Sequence, residues 1–137
     1  MSETIESTQE HPARVVPYDL IGGAVSLRRI VDCFYQIMDS DPAAADIRAM
    51  HAEDLAPVRD KLFEFLSGWL GGPSLYFQRT GSVCITEAHR PFAIGEPERD
   101  QWLMCMRRAL VEEGVSEEVR QMLDQPLFMI ADFVRNH

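Results

Sequence analysis

Apolar residues recur at intervals of three and four along most of the chain, the period of helices that bury one face. Leu27, Ile30, Val31, Phe34 and Met38 form one such stripe and predict a helix ending near Asp39. In "SDPAAADIRAM", Asp41 has the form of an N-cap and Pro42 of a first helical position, so a short second helix follows. Pro57 opens a third, with Val58, Leu62, Phe65, Leu66 and Trp69 on one face and Gly71-Gly72-Pro73 as its stop. Residues 73–88 show no sustained period and are rich in Gly, Ser and Thr. They are expected to form a loop with at most one helical turn; "SVCIT" has strand-like composition but no evident pairing partner. Pro91 disfavours helical geometry at Arg90, which ends any turn bearing His89 at a change of chain direction. Gly95 and Pro97 start a helix with Trp102, Leu103, Met106, Ala109 and Leu110 on one face, stopped at Gly114. Ser116, Glu117 and Glu118 start the last, whose apolar positions are Val119, Met122, Leu123, Leu127, Ile130 and Val134, with a kink expected at Pro126. The pattern predicts an all-α protein of four substantial helices plus short ones.

Composition narrows the class. A chain of 137 residues with 46% hydrophobic and 26% charged residues has the make-up of one folded domain. The acidic, polar start "MSETIESTQEHPARVVP" lacks both the basic beginning and the apolar run of a secretory signal, and no stretch approaches the ~20 apolar residues of a spanning helix. The expectation is a soluble, cytoplasmic protein with residues 1–15 as a mobile extension and 16–137 as the domain. Acidic residues outnumber basic ones 22 to 13, which repels phosphate backbones and argues against nucleic-acid and membrane partners. Cys33, Cys84 and Cys105 are odd in number, without CxxC spacing, and read as reduced, packed thiols.

Phosphate-binding glycine loops, nucleophile elbows and HExxH helices are all missing from the sequence. Cys84 and His89 lack the further ligands that a structural zinc site needs. His11 and His137 lie in polar termini, and His51 has the place of an ordinary helix-terminal histidine. His89, beside Pro91, Phe92 and Ile94, is suited to axial ligation of haem iron, although a satisfied, semi-buried histidine fits the same context. Phe65, Trp69, Trp102 and the methionines read first as core.

Three segments in the right order decide between these readings: "YDLIGGAVSLRRIVDCFYQIM", "DKLFEFLSGWLGGP" and "AHRPFAIGEPERDQWLMCM". Together they make the chain resemble the group II truncated haemoglobins from about Tyr18 to Val134. The resemblance implies a two-over-two helical sandwich around a b-type haem, with His89 as the proximal iron ligand. It places Tyr35 and Trp102 in the distal pocket, with His51 at or beside a position held in this family by tyrosine, phenylalanine or histidine. Val58 and Leu62 become apolar distal residues. Phe34, Phe65, Phe92, Ile94 and Met106 are implied as haem walls, together with Leu62 and Trp102. Lys61 is the first candidate for a haem propionate partner. Members commonly carry a basic residue immediately before the proximal histidine, whereas "CITEAH" has Glu87 and Ala88 there; Arg59, Arg90 and Thr86 are weaker substitutes.

The function so implied is reversible binding of O2, CO and NO at a five-coordinate iron. Three converging donors, Tyr35, His51 and Trp102, suit ligand or redox chemistry better than storage. Alternatives are a peroxidase-like or nitric-oxide-consuming enzyme acting on peroxide or nitric oxide, with electrons from a separate reductase, and a haem-based sensor. A helical interaction protein without cofactor is a third class. His51 or Tyr35 reaching the iron would make the resting state six-coordinate. A monomer and a homodimer are equally compatible with the sequence.

Overall fold

The computed structural model describes residues 15–82 and 84–137, and every regular element among them is helical. In chain order these are α1 (Pro17–Leu20), α2 (Gly23–Ser40), a 3-10 turn (Pro42–Ala44), α3 (Ala45–Ala49), α4 (Ala56–Trp69), α5 (Leu75–Thr80), α6 (Ile85–His89), α7 (Glu96–Glu112) and α8 (Glu117–Phe133). The expected N-terminal extension lies outside the described residues except for Val15. The four long helices α2, α4, α7 and α8 are those the periodicity predicts.

Local chemistry sets their ends. The Asp41 side chain accepts from the Ala43 amide, which closes the 3-10 turn behind Pro42. Ser116 caps α8 by accepting from Val119 N–H, and Glu98 reaches back to the Gly95 amide to cap α7. α8 runs through Pro126, which has no N–H to offer the carbonyl four residues earlier.

α2 packs against α7 and α4, and α7 packs against α8 and the α3 segment. The core lies chiefly between α2 and α7, where Leu27, Ile30, Phe34, Leu103 and Met106 are almost fully buried. At the other end of α4, the Tyr18 amide donates to the Leu70 carbonyl at 2.9 Å and draws α1 across the Gly71-Gly72 pair. A Cβ on Gly72 would sit 2.5 Å from the Tyr18 ring, and Gly71 has φ +98° with Val16 against it, so both positions require glycine.

Three expectations are corrected. Residues 73–88 are not mainly loop: α5 and α6 occupy most of them, separated by Gly81 in the left-handed region. Helices of six and five residues are too short to display a full apolar period, so their sequences read as irregular. Met122 is exposed, and Ala131 takes the buried place on α8 with Val119, Leu123 and Leu127. Cys84 is likewise exposed, unlike half-buried Cys33 and buried Cys105.

Candidate functional site

α4 does not pack closely on α7 or α8, and a cavity of about 560 Å³ occupies the space between them. That volume suits a cofactor-sized molecule. Val58, Lys61, Leu62 and Phe65 line it from α4, and Ile85, Ala88 and His89 from α6. Phe92 and Ile94 follow, with Trp102 and Arg99 from α7, Tyr35 from α2, and Ile130 and Ala131 from α8. Ile47, Met50 and His51 close the α3 end. The lining is mainly apolar, with a few polar groups at defined points.

His89 is one of them. Its Nδ1 lies 2.6 Å from the Ile85 carbonyl, one helical turn back on α6. A carbonyl can only accept, so Nδ1 carries a proton, and in the neutral ring that leaves Nε2 its lone pair. Such a bond fixes both ring orientation and tautomer, as metal-ligating histidines require. The chain beyond is held by Asn136, whose side chain accepts from the Ile94 amide at 2.8 Å and donates to the Phe92 carbonyl at 2.9 Å.

The opposite polar group is built from three elements. Tyr35 is 4% exposed, and its ring meets Phe34 edge-on at 4.8 Å. Phe34 in turn meets Trp102 at 5.4 Å, and Tyr35 meets His51 at 5.8 Å. Neither the Tyr35 hydroxyl nor the Trp102 indole N–H bonds to a described residue, and neither is sealed in the interior, so both open on the cavity. Burial pushes the Tyr35 phenol well above its ordinary pKa, which keeps it a neutral donor.

His51 sits where α3 ends, with Nδ1 2.8 Å from the Ile47 carbonyl. Burial is the main cause of its lowered pKa, with the Arg48 charge acting in the same direction and the Ile47 bond against it. Arg48 closes the segment around it, binding Asp39 and the carbonyls of Ala52 and Glu53. Gln101 joins α3 to α7 by accepting from the Ile47 amide at 2.9 Å and donating to Asp46.

The structure thus brings Tyr35, His51, Val58, Lys61, Leu62, Phe65, His89, Phe92, Ile94 and Trp102 to one cavity. It does not bring Phe34 and Met106 there. Both are fully buried within the α2/α7 core, Phe34 directly behind Tyr35 and Trp102, so they support the lining without forming it. Arg59 pairs with Asp32, and Arg90 with Glu87 on the surface, and neither lines the cavity, nor does Thr86. Lys61 lines the cavity and forms no ion pair with a described residue. It is also the single lysine of the chain. Arg99 is a cation the sequence did not single out; it lines the cavity but is held by Asp132 at 2.9 Å and Asp100 at 3.0 Å. Gln101 and Asn136 were equally hidden, because their partners lie 54 and 42–44 residues away in sequence.

The helical arrangement and its cavity define a two-over-two truncated globin. A family model described as bacterial-like globin matches residues 16–136. The group 2 truncated hemoglobin YjbI of Bacillus subtilis is 35% identical over 107 residues, 78% of each chain. The group II 2-on-2 hemoglobin of Agrobacterium tumefaciens superimposes with a TM-score of 0.86 at 35% identity, covering 90% of this chain and 96% of the other. The cold-adapted truncated hemoglobin of Pseudoalteromonas haloplanktis TAC125 gives 0.85 at 36% identity, covering 90% and 99%. The chain belongs to the bacterial-like globin family, and that membership implies haem-iron binding and the binding of diatomic gases such as O2. Among the described residues no helix is long and apolar enough to cross a membrane.

Proposed function

We propose that the domain over residues 16–137 is a cytoplasmic b-type haem protein, with His89 Nε2 as the iron's protein ligand and Tyr35 and Trp102 facing the bound gas. The carrying observation is the polarity of the cavity. One imidazole with a bare Nε2 lines one side, and two donors without a described partner line the other. Haem bound there supplies an iron position open to O2, CO or NO.

The residues fit that group. Val58, Leu62, Phe65, Phe92 and Ile94 give the apolar enclosure that a flat macrocycle requires, and Lys61 offers a cation for a propionate. Ala88 lines the cavity at the position before His89, where the family resemblance leads one to expect a basic residue, and Glu87 beside it points its charge to Arg90 on the surface. Lys61 is therefore the principal propionate partner. Arg99 is restrained by its two aspartates.

Tyr35 and Trp102 donate hydrogen bonds to a gas that accumulates negative charge, in a mainly apolar pocket, and so slow its escape. Slow escape favours ligand or redox chemistry over delivery, with electrons from a separate reductase. The test is the visible spectrum of the ferrous, haem-loaded protein before and after carbon monoxide. A five-coordinate spectrum converting cleanly to the CO form is expected. A chain that cannot retain haem, or a resting spectrum already six-coordinate, would overturn the reading.

A further inference from the structure

His51 carries a consequence that the identity of its side chain conceals. A histidine beside a ligand is ordinarily counted as a donor, and Tyr35, His51 and Trp102 were grouped so from the sequence. The geometry points to a different role: we infer that His51 presents an acceptor to the cavity, so that the pocket favours small ligands that bring a proton of their own, with hydrogen peroxide as their representative. This rests on the haem reading proposed above and narrows its substrate class.

Hydrogen-bond bookkeeping around the ring leads there directly. The Ile47 carbonyl, 2.8 Å from Nδ1, has only lone pairs to offer, so the proton resides on Nδ1. Nε2 of the neutral ring then has a lone pair and no hydrogen. The ring is only part-buried, and it lines the cavity. Burial is the main cause that favours its neutral state, with the Ile47 bond opposing and the Arg48 guanidinium adding to burial. Arg48, stapled to Asp39, Ala52 and Glu53, and Gln101, bonded to Ile47, hold the segment in place from the α2 and α7 sides. Moving the proton to Nε2, so as to present a donor there, would set the Nδ1 lone pair against the Ile47 carbonyl and forfeit that bond.

The same construction occurs at His89, whose Nδ1 donates to the carbonyl of Ile85 four residues earlier. The chain thus builds two imidazoles on one plan, each with Nδ1 tied to the residue one turn back and each lining the same cavity. One bare nitrogen is assigned to iron. The other remains beside the Tyr35 ring, 5.8 Å between centroids, and the Tyr35 hydroxyl is not bonded to it.

The pocket therefore offers two donors, Tyr35 Oη–H and Trp102 Nε1–H, together with one acceptor, His51 Nε2. Bare O2, CO and NO can use only the donors, and they offer the acceptor no proton. Hydrogen peroxide satisfies both kinds of group, because it accepts through one oxygen and donates from an O–H.

Two measurements test this. Long-range 1H–15N spectra of histidine-labelled protein in the diamagnetic ferrous CO form, with His51 assigned by its disappearance in His51→Gln, read the tautomer. A protonated Nδ1 and bare Nε2 at neutral pH are expected; a protonated Nε2 overturns the inference. The same spectrum of the haem-free chain reads the tautomer if loading fails, which separates failure here from failure of the haem reading. In the second, the association rate of the ferric protein with hydrogen peroxide is divided by that of the ferrous protein with carbon monoxide. His51→Phe, which removes the acceptor, should lower this ratio about tenfold, and His51→Gln, whose amide oxygen can accept, should restore part of it. A ratio unchanged or raised in His51→Phe contradicts the acceptor role.

Discussion

The two layers that flank the cavity are built from similar apolar residues but packed in opposite ways. On the α2/α7 side, Phe34, Ile30, Leu103 and Met106 are each 2% exposed or less. On the α4–α6 side, Val58, Leu62, Phe65, Tyr76 and Ile85 are all only half-buried, and neither α5 nor α6 contains a buried residue. Protein atoms complete the first wall. The apolar stripe of the second is turned instead toward the cavity, which is what a wall built to meet a ligand looks like. Stability and function are thereby divided between two faces of one small domain.

The sharpest way to break that contrast is a pair of matched truncations. Phe34→Ala should destabilise the haem-free protein by about 3–5 kcal/mol, as for a fully enclosed aromatic, and loosen both Tyr35 and Trp102. Phe65→Ala should cost the same protein only about 1 kcal/mol, because much of its ring is already uncovered. Urea unfolding of the two variants decides it, and equal losses would abolish the distinction between the walls.

Asn136 comes next in size. Asn136→Ala removes two side-chain hydrogen bonds to the 92–94 segment, and at about 1 kcal/mol for each bond roughly 1–2 kcal/mol of stability should disappear. Faster hydrogen exchange at the Ile94 amide is the local signature. Wild-type exchange there would show that the segment is held otherwise.

Two groups outside those layers, Asp132 on α8 and His51 after α3, respond differently to acid. Arg99 and Arg135 hold the Asp132 carboxyl below its ordinary pKa of 3.8. A depressed carboxyl stabilises the fold above that ordinary value, and the contribution is lost as pH falls through the lower folded one. His51, lowered from 6.5 chiefly by burial, acts in a higher window: the unfolded chain takes the proton first, so stability is complete above about 6.5 and declines below it until the folded ring protonates. Melting temperatures of the haem-free protein across pH 7 to 3 should show both limbs. Asp132→Asn should erase the lower and His51→Gln the upper.

Lys61 should have the smallest effect. It lies exposed at the rim, so Lys61→Ala should speed haem loss by only about threefold, the range of a solvent-exposed ion pair. Haem transfer to an acceptor globin measures it, and no change at all would remove Lys61 from the propionate site.

How much of this is legible in the sequence follows from the same contrast. Helices α2 and α7, at 18 and 17 residues, are long enough to display several apolar periods, so their extents and inward faces can be read directly. Periodicity says which face is apolar but not what covers it. That is why Phe34 and Met106 read as cofactor walls although protein encloses them, while Phe65 meets the cavity. α5 and α6 escape detection because one helical turn and a fraction carries no period. Gln101, Arg99 and Asn136 look like ordinary polar residues until folding brings them to partners tens of positions away. His89 is readable through three spaced segments, whereas the polarity of His51 depends on a single carbonyl, visible only in three dimensions.

The central claim is that the half-covered wall holds haem through His89. It is tested most directly by His89→Gly, loaded with haem and titrated with free imidazole, with the ferrous spectrum read before and after carbon monoxide. The account predicts loss of the wild-type five-coordinate spectrum in the variant and its return with imidazole, while the haem-free variant melts close to the wild-type temperature. A His89→Gly protein that keeps the wild-type spectrum without imidazole would contradict it.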